Sequence, residues 1–254
     1  MIIQHLKNFC LKCQIHPLTL IYLLLSLMSG YLKWYLASLM IVCIHELCHL
    51  LMAYSFHFQI KKIEILPFGA YLSLEDFYFH PIWQEICVVL AGPCSHLLIF
   101  FCINFFDNGV FKEYLLDMNR LVFLFNLMPI YPLDGSRIIG LILQRLMDLK
   151  KSLYFHFKLS VFSLCILTLF YFQTQTIVII SYLYLQHINY WKFIPCYLRK
   201  YYSQIPTLSC HRRVIVHQDL SYRRGYLNYY RLNNNLYHEK QMMYILIENV
   251  KKIW

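Results

Sequence analysis

Charge is what this sequence has least of. Asp, Glu, Lys and Arg make up 14% of its 254 residues, too little to cover the surface of a soluble domain of that length. Glycine and proline are scarce as well, at seven and eight, so few linkers can be built. No small-residue cleavage site follows the first apolar run, and a cleavable signal peptide is not expected. The basic C-terminal stretch shows no alternation of base-reading motifs, which argues against nucleic acid as a partner. Cysteine is not scarce, with ten residues, but paired spacing is. Cys43, Cys48, Cys87, Cys94, Cys102 and Cys165 lie within apolar runs, where thiols serve as small hydrophobes. Cys10 and Cys13 form a lone CxxC with no second pair to complete a zinc site.

What is present is apolar. Hydrophobic residues account for 59% and mean hydropathy is +0.47, and several apolar runs approach the ~20 residues that cross a bilayer. The pattern predicts an all-α polytopic membrane protein, integral and multi-pass, with about six transmembrane helices. Their expected bounds are 17–32, 36–58, 82–106, 120–143, 155–172 and 176–191. A small membrane-associated β-hairpin is expected between the second and third. Residues 59–65 alternate like a strand, Leu66-Pro67-Phe68-Gly69-Ala70 makes a turn, and residues 71–74 return. Its exposed edge could hold an unwound substrate segment by strand addition. The third span should be broken at Ala91-Gly92-Pro93, residues 107–119 should form a short acidic loop, and the prolines and glycine of 126–135 should interrupt the fourth span. The domain reading is a transmembrane unit over 1–191, with its core at 16–145, followed by a basic cytoplasmic region over 192–254.

The net charge of +10 is unevenly placed. Residues 192–254 hold 11 Lys and Arg against 3 Asp and Glu, while residues 1–191 hold 12 against 10. The positive-inside rule then orients the chain. Lys7, Lys12, Lys61, Lys62, Arg145, Lys150, Lys151 and the basic tail fall on one side; Lys33 and Lys112 fall on the other. Both termini and the hairpin should therefore be cytoplasmic, with the active site towards that side.

One stretch carries chemistry. His45-Glu46-Leu47-Cys48-His49 lies within the second apolar run. Positions i and i+4 share a helix face, so both histidines can offer ring nitrogens to one metal ion, and Glu46 can serve as a base beside it. Ionisable groups cost roughly 2.5–3.5 kcal/mol each at the centre of a membrane helix, so their presence there points to function. A catalytic zinc usually takes a third protein ligand and leaves one position open. The spacing to a third histidine six residues on fails, because Ser55 stands there, and His57 falls on a different face. Glu64, Glu75, Glu85 and Asp134 remain as acids, and Asp134 is preferred because it shares the bilayer with the histidines.

Taken together, HELCH, Leu66-Pro67-Phe68-Gly69-Ala70, Ala91-Gly92-Pro93 and Asn126-x-x-Pro129-x-x-Pro132-Leu133-Asp134-Gly135 resemble the site-2 protease family of intramembrane zinc metalloproteases. The match covers about 16–145, and the six-span layout is most similar to the branch that processes a sporulation sigma-factor precursor. The resemblance implies that His45, His49 and Asp134 bind Zn2+, that Glu46 is the catalytic base, and that Asn126 helps to position or polarise the substrate. It implies a membrane-associated protein substrate, with regulatory membrane proteins as further partners beside the lipid bilayer. Members of that branch end in a nucleotide-sensing CBS module, to which Arg213-Val214-Ile215-Val216 is similar as an opening strand. No clear second strand set follows, so a degenerate or partial module is expected. Cys48 and Ala70 stand where the family usually has glycine, and Ser136 after Asp134-Gly135 is a further departure. An inactive zinc-binding relative that holds a membrane partner is the alternative, and the intact Glu46 speaks against it.

Overall fold

The computed structural model describes residues 13–15, 17–66, 69–74, 77–171, 176–205, 213–232 and 235–251. In chain order these form β1 (Cys13–Ile15), α1 (Pro17–Met28), α2 (Leu32–Ser55), β2 (Ile60–Leu66), β3 (Gly69–Leu74), a 3-10 turn (Phe77–Phe79), α3 (Ile82–Ile103), α4 (Val110–Asn126), α5 (Asp134–Leu146), α6 (Leu149–Tyr171), α7 (Ile177–Gln204), β4 (Val214–His217), β5 (Leu227–Leu232), β6 (Asn235–His238) and α8 (Glu239–Lys251). The described residues are mostly helical, with two three-stranded sheets among them. By length and composition, three of the described helices are long and apolar enough to cross a membrane: Leu32–Ser55, Ile82–Ile103 and Leu149–Tyr171. Each is about 33–36 Å long at 1.5 Å per residue, against a hydrocarbon core of about 30 Å.

The chain divides into two compact units, Met1–Leu127 and Met128–Trp254. In the first, α2, α3 and α4 pack together around Ile41, Ile99, Ile103 and Leu115, with Ala37, Ile44 and Phe111 against them. A second cluster of Ala53, Phe58 and Val88 seals the end of α2. The expected hairpin is present, with β2 antiparallel to β3 and Ile63 opposite Leu72. A strand that the sequence pattern did not signal, β1, lies parallel to β2, with Gln14 opposite Glu64. Pro67 and Phe68 of the expected turn lie outside the described residues.

Two expectations are corrected here. The Ala91-Gly92-Pro93 stretch does not break the third span: Pro93 sits inside the continuous helix α3. Proline removes one backbone donor and one i−4 bond, and Ser95 Oγ donates to the Gly92 carbonyl nearby at 2.6 Å. Residues 110–119 are not a loop but the first turns of α4. The charges there are compatible with a helix because Lys112 caps the preceding turn, its Nζ donating to the Phe106 carbonyl at 3.2 Å and to Asn108 Oδ1 at 3.1 Å. The stretch expected as a fourth span, 120–143, falls on two helices, α4 and α5, on either side of residues 127–133.

In the second unit, α5, α6 and α7 are tied by a buried polar belt. His156 Nε2 lies 2.8 Å from the Ser136 carbonyl, which can only accept, so His156 donates there and its Nδ1 accepts from Tyr190 Oη at 2.7 Å. His187 likewise donates from Nδ1 to Leu183 O at 2.8 Å and accepts the Ser160 hydroxyl at Nε2 at 2.7 Å. The Tyr131 amide donates to Ser160 Oγ at 2.7 Å, and the Tyr131 ring stacks on Tyr190 with centroids 4.2 Å apart. The belt thus holds both the residues leading into α5 and its first turn.

The C-terminal region is folded, and it does contain a second strand set. β4 runs parallel to β5, β5 antiparallel to β6, and α8 packs on the sheet. Asn228 is its hub: the backbone amide and Nδ2 both donate to Glu239 Oε2, at 3.0 and 2.9 Å, while Oδ1 accepts from His217 Nε2 at 2.8 Å. The module is docked on α5. Buried Arg224 donates to Gln144 Oε1 at 2.9 Å, and Arg223 donates to the Arg145 and Leu146 carbonyls at 3.1 and 3.0 Å. A guanidinium there satisfies carbonyls that a helix C-terminus leaves unpaired. Burial pushes the Tyr222 and Tyr230 phenols well above their ordinary value. The Ser221 hydroxyl, donating to Asp219, holds that carboxyl below its own.

Candidate metal centre

Helix α2 turns its composition inside out. Ile41, His45, His49 and Ala53 recur every four residues and are all buried. Leu36, Met40, Leu47, Leu51 and Tyr54 are exposed. A soluble helix would bury the leucines and solvate the histidines. The opposite arrangement suits a helix with lipid outside and chemistry inside.

On the buried face, His49 Nδ1 lies 2.7 Å from the Val88 carbonyl and so carries the proton. Its Nε2 lone pair is then directed at His45 Nε2, 3.1 Å away. Two nitrogens bound to one tetrahedral zinc at about 2.05 Å stand about 3.3 Å apart, so the pair fits the ion. Close approach of α3 makes this arrangement possible. A Cβ at Gly92 would run into the His49 ring at Nε2 and Cε1 and would sit 2.7 Å from His45 Cε1. Glycine at this position of the Ala91-Gly92-Pro93 motif is thus required by the histidines packed on it.

The other expected site residues are placed as follows. Glu46 is on α2 next to His45 and is half-buried. Asn126 is the last residue of α4, also half-buried. Asp134 opens α5 after the extended Leu133, and it is buried together with Gly135 and Ser136. Of the alternatives weighed for the third ligand, His57 is exposed beyond the end of α2, Glu64 is in β2, and Glu85 is buried in the first turn of α3. Glu75 lies outside the described residues.

Two residues that the sequence did not single out reach the site. His96 Nε2 lies 3.0 Å from His45 Nδ1, and His96 Nδ1 lies 2.7 Å from Asn119 Oδ1. His96 follows Pro93 by three residues, one turn from Gly92, but nothing in the sequence pairs it with an asparagine on another helix.

Comparison with known proteins agrees with this geometry. Residues 34–111 match Peptidase family M50, a stretch that contains His45, Glu46 and His49. Over that stretch the chain is similar to this peptidase family. Stage IV sporulation protein FB of Bacillus subtilis is 31% identical to it over 158 residues, covering 60% of this chain and 55% of that protein. A zinc metalloprotease of Methanocaldococcus jannaschii is 31% identical over 132 residues, 48% of this chain and 38% of the relative. The chain thus spans about half or less of the length of these relatives. The solved site-2 protease from M. jannaschii has the same fold, with a TM-score of 0.54 at 23% identity over 70% of this chain and 90% of that one. The site-2 protease resemblance read from the motifs is therefore found independently by family, by relatives and by fold.

Proposed function

We propose that this chain is an intramembrane zinc metalloendopeptidase that hydrolyses a peptide bond of a membrane-embedded or membrane-associated protein. The observation that carries the reading is the pair of buried Nε2 atoms 3.1 Å apart, with Glu46 beside them on the same helix. His45, His49 and Asp134, all buried, are the proposed ligands. Zinc supplies Lewis-acid polarisation and an acidified water. The protein's own residues do the rest. Glu46 takes a proton from the attacking water and returns it to the departing amine. Asn126 presents its side-chain amide to the carbonyl oxygen under attack. The β2–β3 sheet offers an edge that can hold a locally unwound substrate by strand addition.

The finer features follow the same reading. Six spans would include α1, the α4–α5 pair and α7 beside the three long apolar helices. The transmembrane domain would occupy 1–191 and the cytoplasmic region, a partial CBS module, 192–254, with the active site on the cytoplasmic side. A sporulation sigma-factor precursor is the substrate class that fits the sporulation relative, and membrane proteins are the regulators to look for.

The test measures metal content and cleavage of a membrane-tethered substrate on the same purified sample. Glu46→Gln keeps shape but cannot take a proton, so zinc should stay while cleavage falls at least ~100-fold. Asp134→Ala should lose both. Wild-type turnover by Glu46→Gln would remove the base, and full zinc occupancy in Asp134→Ala would remove the third ligand. A zinc-loaded wild type that cleaves no membrane substrate would favour the binding-partner reading instead.

A further inference from the structure

We propose that His96 and Asn119 are positioning residues which set the tautomer of His45, so that its Nε2 lone pair faces His49. The inference rests on the metalloprotease reading and adds to it two residues outside the ligand set. It starts from heavy-atom partners whose roles are fixed. Asn119 Nδ2 donates to the His96 backbone carbonyl at 3.1 Å, which turns Asn119 Oδ1 towards the His96 ring. That oxygen can only accept, so the 2.7 Å contact places a proton on His96 Nδ1. In the neutral ring Nε2 is then an acceptor, and it faces His45 Nδ1 at 3.0 Å. His45 must carry its proton on Nδ1. Its lone pair is therefore on Nε2, aimed at the point that His49 Nε2 also faces.

Each step is enforced by burial. His96 and Asn119 are 2% and 4% exposed, so bulk water does not compete for these bonds. The Phe123 ring meets His96 edge-on at 5.7 Å. The relay runs from α4 through α3 to α2, so helix packing itself sets the orientation of a ligand on the middle of α2. His49 reaches the same end by a different route, through the Val88 carbonyl. The two ligands thus have separate tautomer locks, one to backbone and one to a side-chain chain, and the side-chain lock can be removed by mutation. Outer partners of this kind commonly tune metal affinity 10–100-fold.

A simple packing role would depend on ring shape, whereas the proposed role depends on an acceptor facing His45. His96→Phe retains a ring and loses the acceptor; His96→Gln loses the ring and keeps an acceptor in Oε1. Zinc affinity of the full-length protein is read by competition with a chromophoric chelator, with thermal unfolding of the metal-free sample as a check on folding. We expect His96→Phe and Asn119→Leu to weaken zinc about 10–100-fold, and His96→Gln to stay within about threefold of wild type. Nitrogen NMR of histidine-labelled, metal-free protein should show the His45 proton on Nδ1 in wild type, and a mixture in Asn119→Leu. Equal losses in the Phe and Gln variants would overturn the proposal, as would a wild-type His45 protonated on Nε2. A wild type that takes up no zinc would instead overturn the metalloprotease reading.

Discussion

At the scale of single residues, the site is defined as much by a missing side chain as by those present. Gly92 lies against both histidines, and a methyl group there has no free direction. Gly92→Ala should push the His49 ring away from His45, costing about 1–3 kcal/mol of stability from overpacking and lowering zinc affinity at least tenfold. Chelator competition and thermal unfolding on the same variant check both. Unchanged affinity would mean that the rings relax into another pair of positions. His45, Glu46 and His49 were legible in the sequence because ionisable groups inside an apolar run have few structural reasons to be there. The close approach of Gly92 to the rings was not. His96 and Asn119 were not legible either, since a hydrogen bond between residues 23 positions apart leaves no local pattern.

At the scale of elements, hydrophobic periodicity located the long helices and the hairpin, and it failed where charge or tyrosine masked the pattern. The charged residues of 107–119 read as loop, yet Lys112, Glu113 and Asp117 lie in α4, ahead of its apolar part. Strands β5 and β6 are short and polar, and they are held by Asn228 and Glu239 rather than by an apolar run. The C-terminal module makes a pH prediction with a definite sign. The Tyr222 and Tyr230 phenols have folded pKa values raised by burial above the unfolded value of about 10. Their contribution is therefore complete below about pH 10 and is lost as pH rises through the folded values. The module should unfold cooperatively in alkali, with tyrosinate absorption from these residues appearing only with unfolding. A difference titration of wild type against Tyr222→Phe isolates one of them. A Tyr222 that ionises near pH 10 with the fold intact would contradict its burial.

At the scale of the whole molecule, orientation is argued from two observations. The first is the placement of Lys61 and Lys62 in 57–80 and of 11 Lys and Arg in 192–254, against Lys33 and Lys112 in the segments proposed for the other side. The second is the β1–β2 pairing, which joins residues 13–15 to residues 63–65. Two helices, α1 and α2, lie between those strands, and in the proposed topology the chain would go out along one and return along the other. The charge distribution proposes the same side for residues 1–16 and 57–80. The helical hairpin is asymmetric. α1 has 12 residues and α2 has 24, so α1 reaches only about 18 Å against about 36 Å. Lys33, beside the turn at Ser29–Gly30, would then mark the opposite face. Glu64 in β2 and Glu113 in the first turn of α4 would fall on opposite sides in this arrangement, because α3 is the one described helix between them long and apolar enough to cross. In a cysteine-depleted background, a single cysteine at position 113 should react with an impermeant thiol reagent from outside intact cells. A cysteine at position 64 should react only after the membrane is opened. The reverse pattern would invert the chain. Labelling of both from the same side would show that α3, for all its apolar length, does not cross.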